Sequence, residues 1–405
     1  MPPWRHDGRG GRVGGASKPQ SLPDGHMKKI KVLIVDDALV VRHILKDTLS
    51  SDPDIEVLGV AANGKIGIAK VLQLNPDVVT LDVEMPEMDG VETVRALRKT
   101  HPRMPIIMFS TLTDHGAAAT LDALNAGATD YVTKPANVGS VVAAIDRVRH
   151  ELIPKIKACV AGKPSPAAGA GSAARPVPIS RPRPGVMFPR VDVIAIGSST
   201  GGPNALAEVL PLLPAHFPVP VLITQHMPPI FTKHLADRLA MKRNGPVTEA
   251  QSGDRLEPGK AYIAPGDYHL GLERRKDGVY VKLNRQPPEN SCRPAVDVML
   301  RSVAEVYGAR SLTVILTGMG SDGLVGCTPL HKAGARVIVQ DEQSSIVWGM
   351  PGSVARAGLA HQVLPLNQIA QAIQRITSEF RACPTHGSAG GSAVLDTRGI
   401  SSSAA

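Results

Sequence analysis

Short β-branched runs, each broken off by a polar residue or a glycine and followed by residues at helical spacing, recur along this 405-residue chain. Lys31–Val35, Glu56–Ala61, Val78–Leu81, Ile106–Phe109 and Asp130–Thr133 form one series, and Val191–Ile196, Pro220–Thr224 and Ser311–Leu316 form another. An uninterrupted apolar run of this length suits a strand buried on both faces. Strands alternating with helices are joined by crossovers, so each series predicts a parallel, doubly wound sheet. Functional side chains in such sheets gather at the carboxyl ends of the strands, and the residue after each run is therefore the one to read.

The two series are separated by 155–190, a stretch rich in Pro, Ala and Gly with seven basic residues and no acidic one, the composition of a solvated tether. An arginine-rich interaction arm is the alternative. Residues 1–27 and 381–405 lack apolar periodicity and read as a disordered extension and tail, with Met1 and Met27 both open as start positions. The expected units are thus 28–154 and 191–380. The net charge of +9 sits in the segments without periodicity: +2 on 1–27, +7 on 152–190 and +1 on 381–405, leaving −1 on the rest. With only five Phe, five Tyr and two Trp there is little stacking platform either, so no nucleic-acid partner is expected. Cys159, Cys292, Cys327 and Cys383 are scattered without zinc or disulfide spacing, which fits a reduced, cytoplasmic setting. No run approaches the roughly 18 apolar residues of a membrane span, so no membrane insertion is expected.

In the first series the strand ends bring Asp36, Asp37, Asp82, Ser110 and Lys134 to one edge. Clustered carboxylates repel unless a hard divalent cation neutralises them, and an all-oxygen set suits Mg²⁺. A lysine and a hydroxyl beside them can hold phosphoryl oxygens, so the chemistry suggested is phosphate transfer onto a carboxylate. Val35-Asp36-Asp37, Leu81-Asp82-Val83-Glu84-Met85-Pro86 with Asp89-Gly90, Ser110, and Tyr131 followed by Lys134-Pro135 resemble response-regulator receiver domains across 28–154. The resemblance implies a flavodoxin-like (βα)5 fold. It implies Asp82 as phosphoacceptor and Asp36, Asp37, Asp82 and the Glu84 carbonyl around Mg²⁺. Lys134 would contact the phosphoryl group, with Ser110 and Tyr131 as switch residues.

In the second series Val191–Ile196 runs into Gly197-Ser198-Ser199-Thr200-Gly201-Gly202, which satisfies the G-x-S-x-G pattern of a nucleophile turn. Alone, that turn reads more readily as a Gly-rich turn capped by Ser or Thr that cradles a phosphate on the following helix N-terminus. Pro220–Thr224 ends in Gln225-His226, and Ser311–Leu316 delivers Thr317 to Gly323 with Asp322 inside it. Ser, His and Asp at three strand ends can converge as a nucleophilic triad, yet Asp322 before Gly-Leu-Val could instead cap a helix. Between them Ala261–Ala264, Gly266–His269 and Val279–Leu283 read as short strands of a hairpin insertion.

The order Ser, His, Asp differs from that of α/β-hydrolases. With Gln225–Pro229, Arg293-Pro-Ala-Val-Asp-Val298, Leu316–Gly323 and Trp348-Gly-Met-Pro-Gly352, it resembles the chemotaxis protein-glutamate methylesterase family of CheB type over 191–380. That resemblance implies a phosphorylation-activated hydrolase of glutamate γ-methyl esters on methyl-accepting chemoreceptors, with deamidation of receptor glutamines. Ser199 would be the nucleophile, His226 the base, Asp322 the orienting carboxylate, and the Thr200 and Met319 amides the oxyanion hole. Ser198 is the rival nucleophile. The esterase reaction would need no cofactor, a CheA-type histidine kinase would donate the phosphoryl group, and the protein would be recruited to cytoplasmic receptor arrays. Before phosphorylation the receiver would cover the active-site cleft.

Overall fold

The computed structural model describes residues 28–134, 141–161 and 189–378; the expected extension, most of the tether and the tail lie outside them. Five strands, β1 (Ile30–Val35), β2 (Ile55–Ala61), β3 (Val78–Asp82), β4 (Ile106–Ser110) and β5 (Asp130–Thr133), alternate with helices. These are α1 (Leu39–Ser50), α2 (Gly64–Leu74), α3 (Gly90–Thr100), α4 (Asp114–Asn125) and α5 (Val141–Arg147). The strands pair in parallel in the order β2-β1-β3-β4-β5. β3 and β4 are buried along their whole length, which is why their sequences do not alternate. Local signals fix the helix starts. Asn63 accepts the Ile66 N–H at 2.9 Å, and Asp89 and Glu92 form a reciprocal capping box, each such cap contributing about 1 kcal/mol.

A π-helical turn (Val148–Leu152) joins α5 to α6 (Ile153–Ala161). The boundary expected at 154 therefore falls inside a helix that runs on to Ala161. Ile156 and Cys159 are buried, so α6 presents an apolar face that composition counted across 155–190 concealed.

The second unit contains β6 (Val193–Ser198), α7 (Gly202–Val209), β7 (Val221–Gln225), α8 (Phe231–Lys242), β8 (Val247–Glu249), β9 (Ala261–Ile263), β10 (His269–Arg275) and β11 (Gly278–Asn284). It continues with α9 (Val296–Val306), β12 (Ser311–Ile315), α10 (Leu324–Lys332), β13 (Arg336–Gln340), α11 (Met350–Arg356), β14 (Gln362–Leu364) and α12 (Leu366–Ser378). Seven strands pair in parallel in the order β14-β13-β12-β6-β7-β9-β8. The expected hairpin is β10 with β11, which pair antiparallel outside this sheet. Ala261–Ile263, by contrast, is a parallel strand of the main sheet, and Gly266-Asp267-Tyr268 is a turn with Asp267 at φ +65°. Isolated short apolar runs do not reveal which sheet they join, because register is a tertiary choice.

β6, the strand that leads into Ser199, lies at the centre of this sheet with β7 on one side and β12 on the other. The strand ends bearing Ser199, His226 and the loop to Asp322 are thus immediate neighbours. One hydrophobic cluster runs from Leu121, Leu124 and Tyr131 of the first unit into Phe231, Leu235 and Leu239 of the second, so the two units share a core.

Candidate active site

The turn after β6 is shaped by backbone demands. Gly201 stands at φ +76°, which penalises any residue with a Cβ, and a Cβ on Gly202 would lie 2.0 Å from Gln225 Oε1. The Ser199 amide donates to Thr317 O at 3.0 Å, fixing the turn to the end of β12. On the other side the His226 amide donates to Ser198 O at 3.1 Å, and Gln225 Nε2 donates to both Ser199 O (3.0 Å) and His226 O (3.1 Å). Gln225, a residue of the Gln225–Pro229 stretch with no role legible in the sequence, therefore staples the serine turn to the histidine loop. Ser198 is fully buried and its hydroxyl donates to Gln225 Oε1 at 2.7 Å, so the rival serine is committed to the core. Ser199 is partly exposed.

His226 Nε2 lies 2.7 Å from Asp322 Oδ2. Asp322 is buried, and its two oxygens also accept from the amides of Val296 (2.6 Å), Asp297 (2.9 Å) and Gly323 (3.0 Å) and from Asn290 Nδ2 (3.0 Å). Burial alone would raise this carboxyl, but its bonds to His226 and to the amides prevail and hold it below the ordinary value. Burial likewise pulls the imidazole down. The Asp322 bond and the Cys292 thiol beside the ring outweigh it and lift His226 above its ordinary 6.5. The helix-cap alternative for Asp322 is answered by Asp297, whose Oδ1 accepts from Gly323 (2.9 Å) and Gly326 (2.6 Å) at the start of α10. Among the described residues neither the Thr200 nor the Met319 amide has an acceptor within the chain, and no hydrogen bond joins Ser199 Oγ to the imidazole.

At the other sheet, single carboxylate oxygens of Asp36, Asp37 and Asp82 lie within 4.8 Å of one another. Lys134 Nζ reaches Asp82 Oδ2 at 2.7 Å and Asp36 Oδ2 at 3.0 Å. Burial and the charge of Asp36, only partly offset by Lys134, push Asp82 up to about 6. The Glu84 side chain pairs with His115 at 2.6 Å, and among the described residues its carbonyl receives no backbone donor. Ser110 is turned away from Asp82: its hydroxyl donates to Gly116 O at 3.1 Å and accepts from Thr120 Oγ1 at 2.6 Å, both on α4. Tyr131 is buried and stacks on Phe231 of α8, ring centroids 4.9 Å apart and planes 5° from parallel.

Family models match two segments: the response regulator receiver domain over residues 32–146 and the CheB methylesterase over residues 194–373. A protein-glutamate methylesterase/protein-glutamine glutaminase of Trichodesmium erythraeum is 50% identical over 349 residues, covering 86% of this chain and 99% of its own. The chain belongs to this CheB family. A namesake from Nocardioides sp. is 51% identical over 353 residues, covering 86% of this chain and 96% of its own. The Thermotoga maritima CheB methylesterase catalytic domain aligns with TM-score 0.45 and 43% identity, covering 46% of this chain and all of that domain.

In this CheB-family chain the receiver segment precedes the methylesterase segment, and the two pack against each other. Receiver helix α4 lies along α8: Asp114 pairs with His234 (3.3 Å), Asp122 with Arg238 (3.0 Å), and Asn125 with Lys242. Asn204 of α7 donates to Ala128 O at 3.0 Å. These contacts fall on the helices that follow Ser199 and His226. Phe231 has no motif of its own; only the packed structure reveals it as the partner of Tyr131.

Proposed function

We propose that this CheB protein hydrolyses glutamate γ-methyl esters by a Ser199–His226–Asp322 mechanism, under control of phosphoryl transfer to Asp82. The observation that carries the reading is the 2.7 Å His226–Asp322 bond beside the partly exposed Ser199, together with the Thr200 and Met319 amides, which have no acceptor among the described residues. With Nε2 held by Asp322, Nδ1 takes the Ser199 proton once the hydroxyl rotates to it. Ser199 Oγ then bonds to the ester carbonyl carbon, and the Thr200 and Met319 amides stabilise the oxyanion. His226 returns the proton to the methoxy group, releasing methanol. Water, deprotonated by the same imidazole, cleaves the acyl-serine to glutamate and free Ser199. A glutamine amide would follow the same course with ammonia leaving, which is the deamidase activity we assign with it.

For the receiver, Asp36, Asp37, Asp82 and the Glu84 carbonyl form an all-oxygen set whose excess negative charge, expressed in the raised Asp82 carboxyl, fits Mg²⁺. Bound there, the ion would neutralise charge on the incoming phosphoryl group. Lys134 stands within reach of a phosphoryl oxygen at Asp82. Ser110 would exchange its α4 bonds for that phosphoryl group, loosening the helix that carries the contacts to α8. Control then acts through α7 and α8 beside the site, in addition to the cover over the cleft that the receiver resemblance implies. The substrates are methyl-accepting chemoreceptors, the phosphodonor is a CheA-type histidine kinase, and the protein works at receptor arrays. Among the described residues no helix is long and apolar enough to cross a membrane.

The test is methanol release from methylated receptor. Ser199→Ala is expected to lose at least about 10³-fold while Ser198→Ala stays near wild type. Wild-type turnover by Ser199→Ala overturns the assignment.

A further inference from the structure

A second carboxylate sits directly behind the one that orients His226. Asp297, in the first turn of α9, is 2% exposed, and its own amide donates to Asp322 Oδ1 at 2.9 Å. Asn290 Nδ2 reaches Asp297 Oδ2 and Asp322 Oδ1, each at 3.0 Å, bridging the two acids. The other Asp297 oxygen takes the Gly323 and Gly326 amides, so it also anchors the loop on which Asp322 is carried. Two buried carboxylates are costly to keep side by side when a neutral residue could serve as a helix anchor. Their retention in contact, with a shared amide donor between them, asks for a role beyond packing.

We propose that Asp297, bridged to Asp322 by Asn290, is a positioning residue that fixes the Asp322 carboxylate on His226 and adds negative charge behind the imidazole. The proposal rests on the Ser199–His226–Asp322 reading. Physically, Asp297 constrains Asp322 from one side through the backbone amide and Asn290 and from the other through Gly323. When ionised it also favours the imidazolium that forms as Ser199 is deprotonated. Burial first, and then the Asp322 charge, push Asp297 up to about 6 against the pull of the Gly326 N–H. Its charge is therefore present at neutral pH and diminishes on mild acidification. The other titratable groups that face it are Arg301 on α9, which is paired with Glu289; Cys327 on α10; and, through Asp322, His226.

Asp297→Asn and Asn290→Ala in the full-length protein test this. Asn at 297 keeps an oxygen for the Gly323 and Gly326 amides and removes the charge. Expected are a roughly tenfold lower kcat at pH above the His226 titration, where the ring is neutral in both proteins, with KM within about twofold, and a His226 imidazole titration, followed by ¹⁵N NMR, displaced to lower pH. Asn290→Ala is expected to lower kcat in the same direction, and Asp297→Glu to recover part of it. Wild-type kcat in Asp297→Asn, or a lowered kcat with the His226 titration unmoved, overturns the proposal; the latter would mark Asp297 as a helix anchor only. The NMR arm needs no turnover, so it separates failure here from failure of the nucleophile assignment, which Ser199→Ala reports.

Discussion

Both candidate sites lie at the carboxyl ends of buried parallel strands, and each is built around an aspartate, but the two aspartates are treated in opposite ways. Asp322 accepts from His226, Asn290 and three backbone amides, and is held below its ordinary range. Asp82 has Lys134 and the Val83 amide as donors, faces Asp36, and is pushed up to about 6. A carboxylate whose acceptor capacity is filled is pre-organised and needs no ligand to finish it. One left in surplus negative charge is poised to gain a cation or a phosphoryl group. The Asp322 carboxylate is thus satisfied as folded, while Asp82 is left with charge that an outside group could meet.

The same substitution at the two positions is the sharpest way to break this contrast. Asp322→Asn is expected to cut methanol release by about 10²- to 10⁴-fold, because the amide cannot hold the imidazole in the required tautomer while also accepting all five donors. Asp82→Asn should leave basal release intact and abolish its stimulation by a small-molecule phosphodonor. Equal losses in the two variants would erase the distinction.

Stability against pH gives the next measurement. The Asp82 carboxyl has a folded value near 6 against 3.8 in the unfolded chain, so the folded state holds the proton across that window. Stability contributed by the protonated form is lost as pH rises through about 6, and the deficit persists above it. Thermal melts in magnesium-free buffer should therefore show Asp82→Asn melting a few degrees above wild type at pH 7.5, with the two converging near pH 4. Adding Mg²⁺ should raise the wild-type melt more than that of the variant.

His226 predicts a pH dependence of the opposite site. Its raised value keeps the imidazole protonated past pH 6.5, and only the neutral ring accepts the Ser199 proton, so kcat/KM should still be climbing with pH above that point. A plateau reached by pH 6 would contradict the environment described for the ring.

Smallest in size are the effects at the shared face. Phe231→Ala removes the stack on Tyr131 and should raise unphosphorylated turnover a few-fold while narrowing the response to phosphodonor. Arg238→Ala, which breaks a half-solvated pair with Asp122, should do the same to a lesser degree, since such pairs contribute at most about 1 kcal/mol.

The sequence by itself determined the two parallel sheets, since unbroken β-branched runs alternating with helical spacing leave little other choice. It also brought out Ser199, His226, Asp322, Asp36, Asp37, Asp82 and Lys134, because each ends such a run or lies in the loop after it. Only the tertiary structure decided between alternatives that the local pattern left standing. Asp322 faces His226 while Asp297, 25 residues earlier, takes the Gly326 amide of α10 and shares that of Gly323. Ser198 drops out because Gln225, from the neighbouring strand, occupies its hydroxyl. Residues 155–161 continue the helix because Ile156 and Cys159 find an apolar surface to cover, which composition cannot report. Asn290 and Phe231 carry no motif, and Gln225 stands in one without showing its role, for their parts depend on partners distant in the chain. Strand-end chemistry is written locally, whereas hydrogen-bond commitment and burial are settled only when distant segments meet.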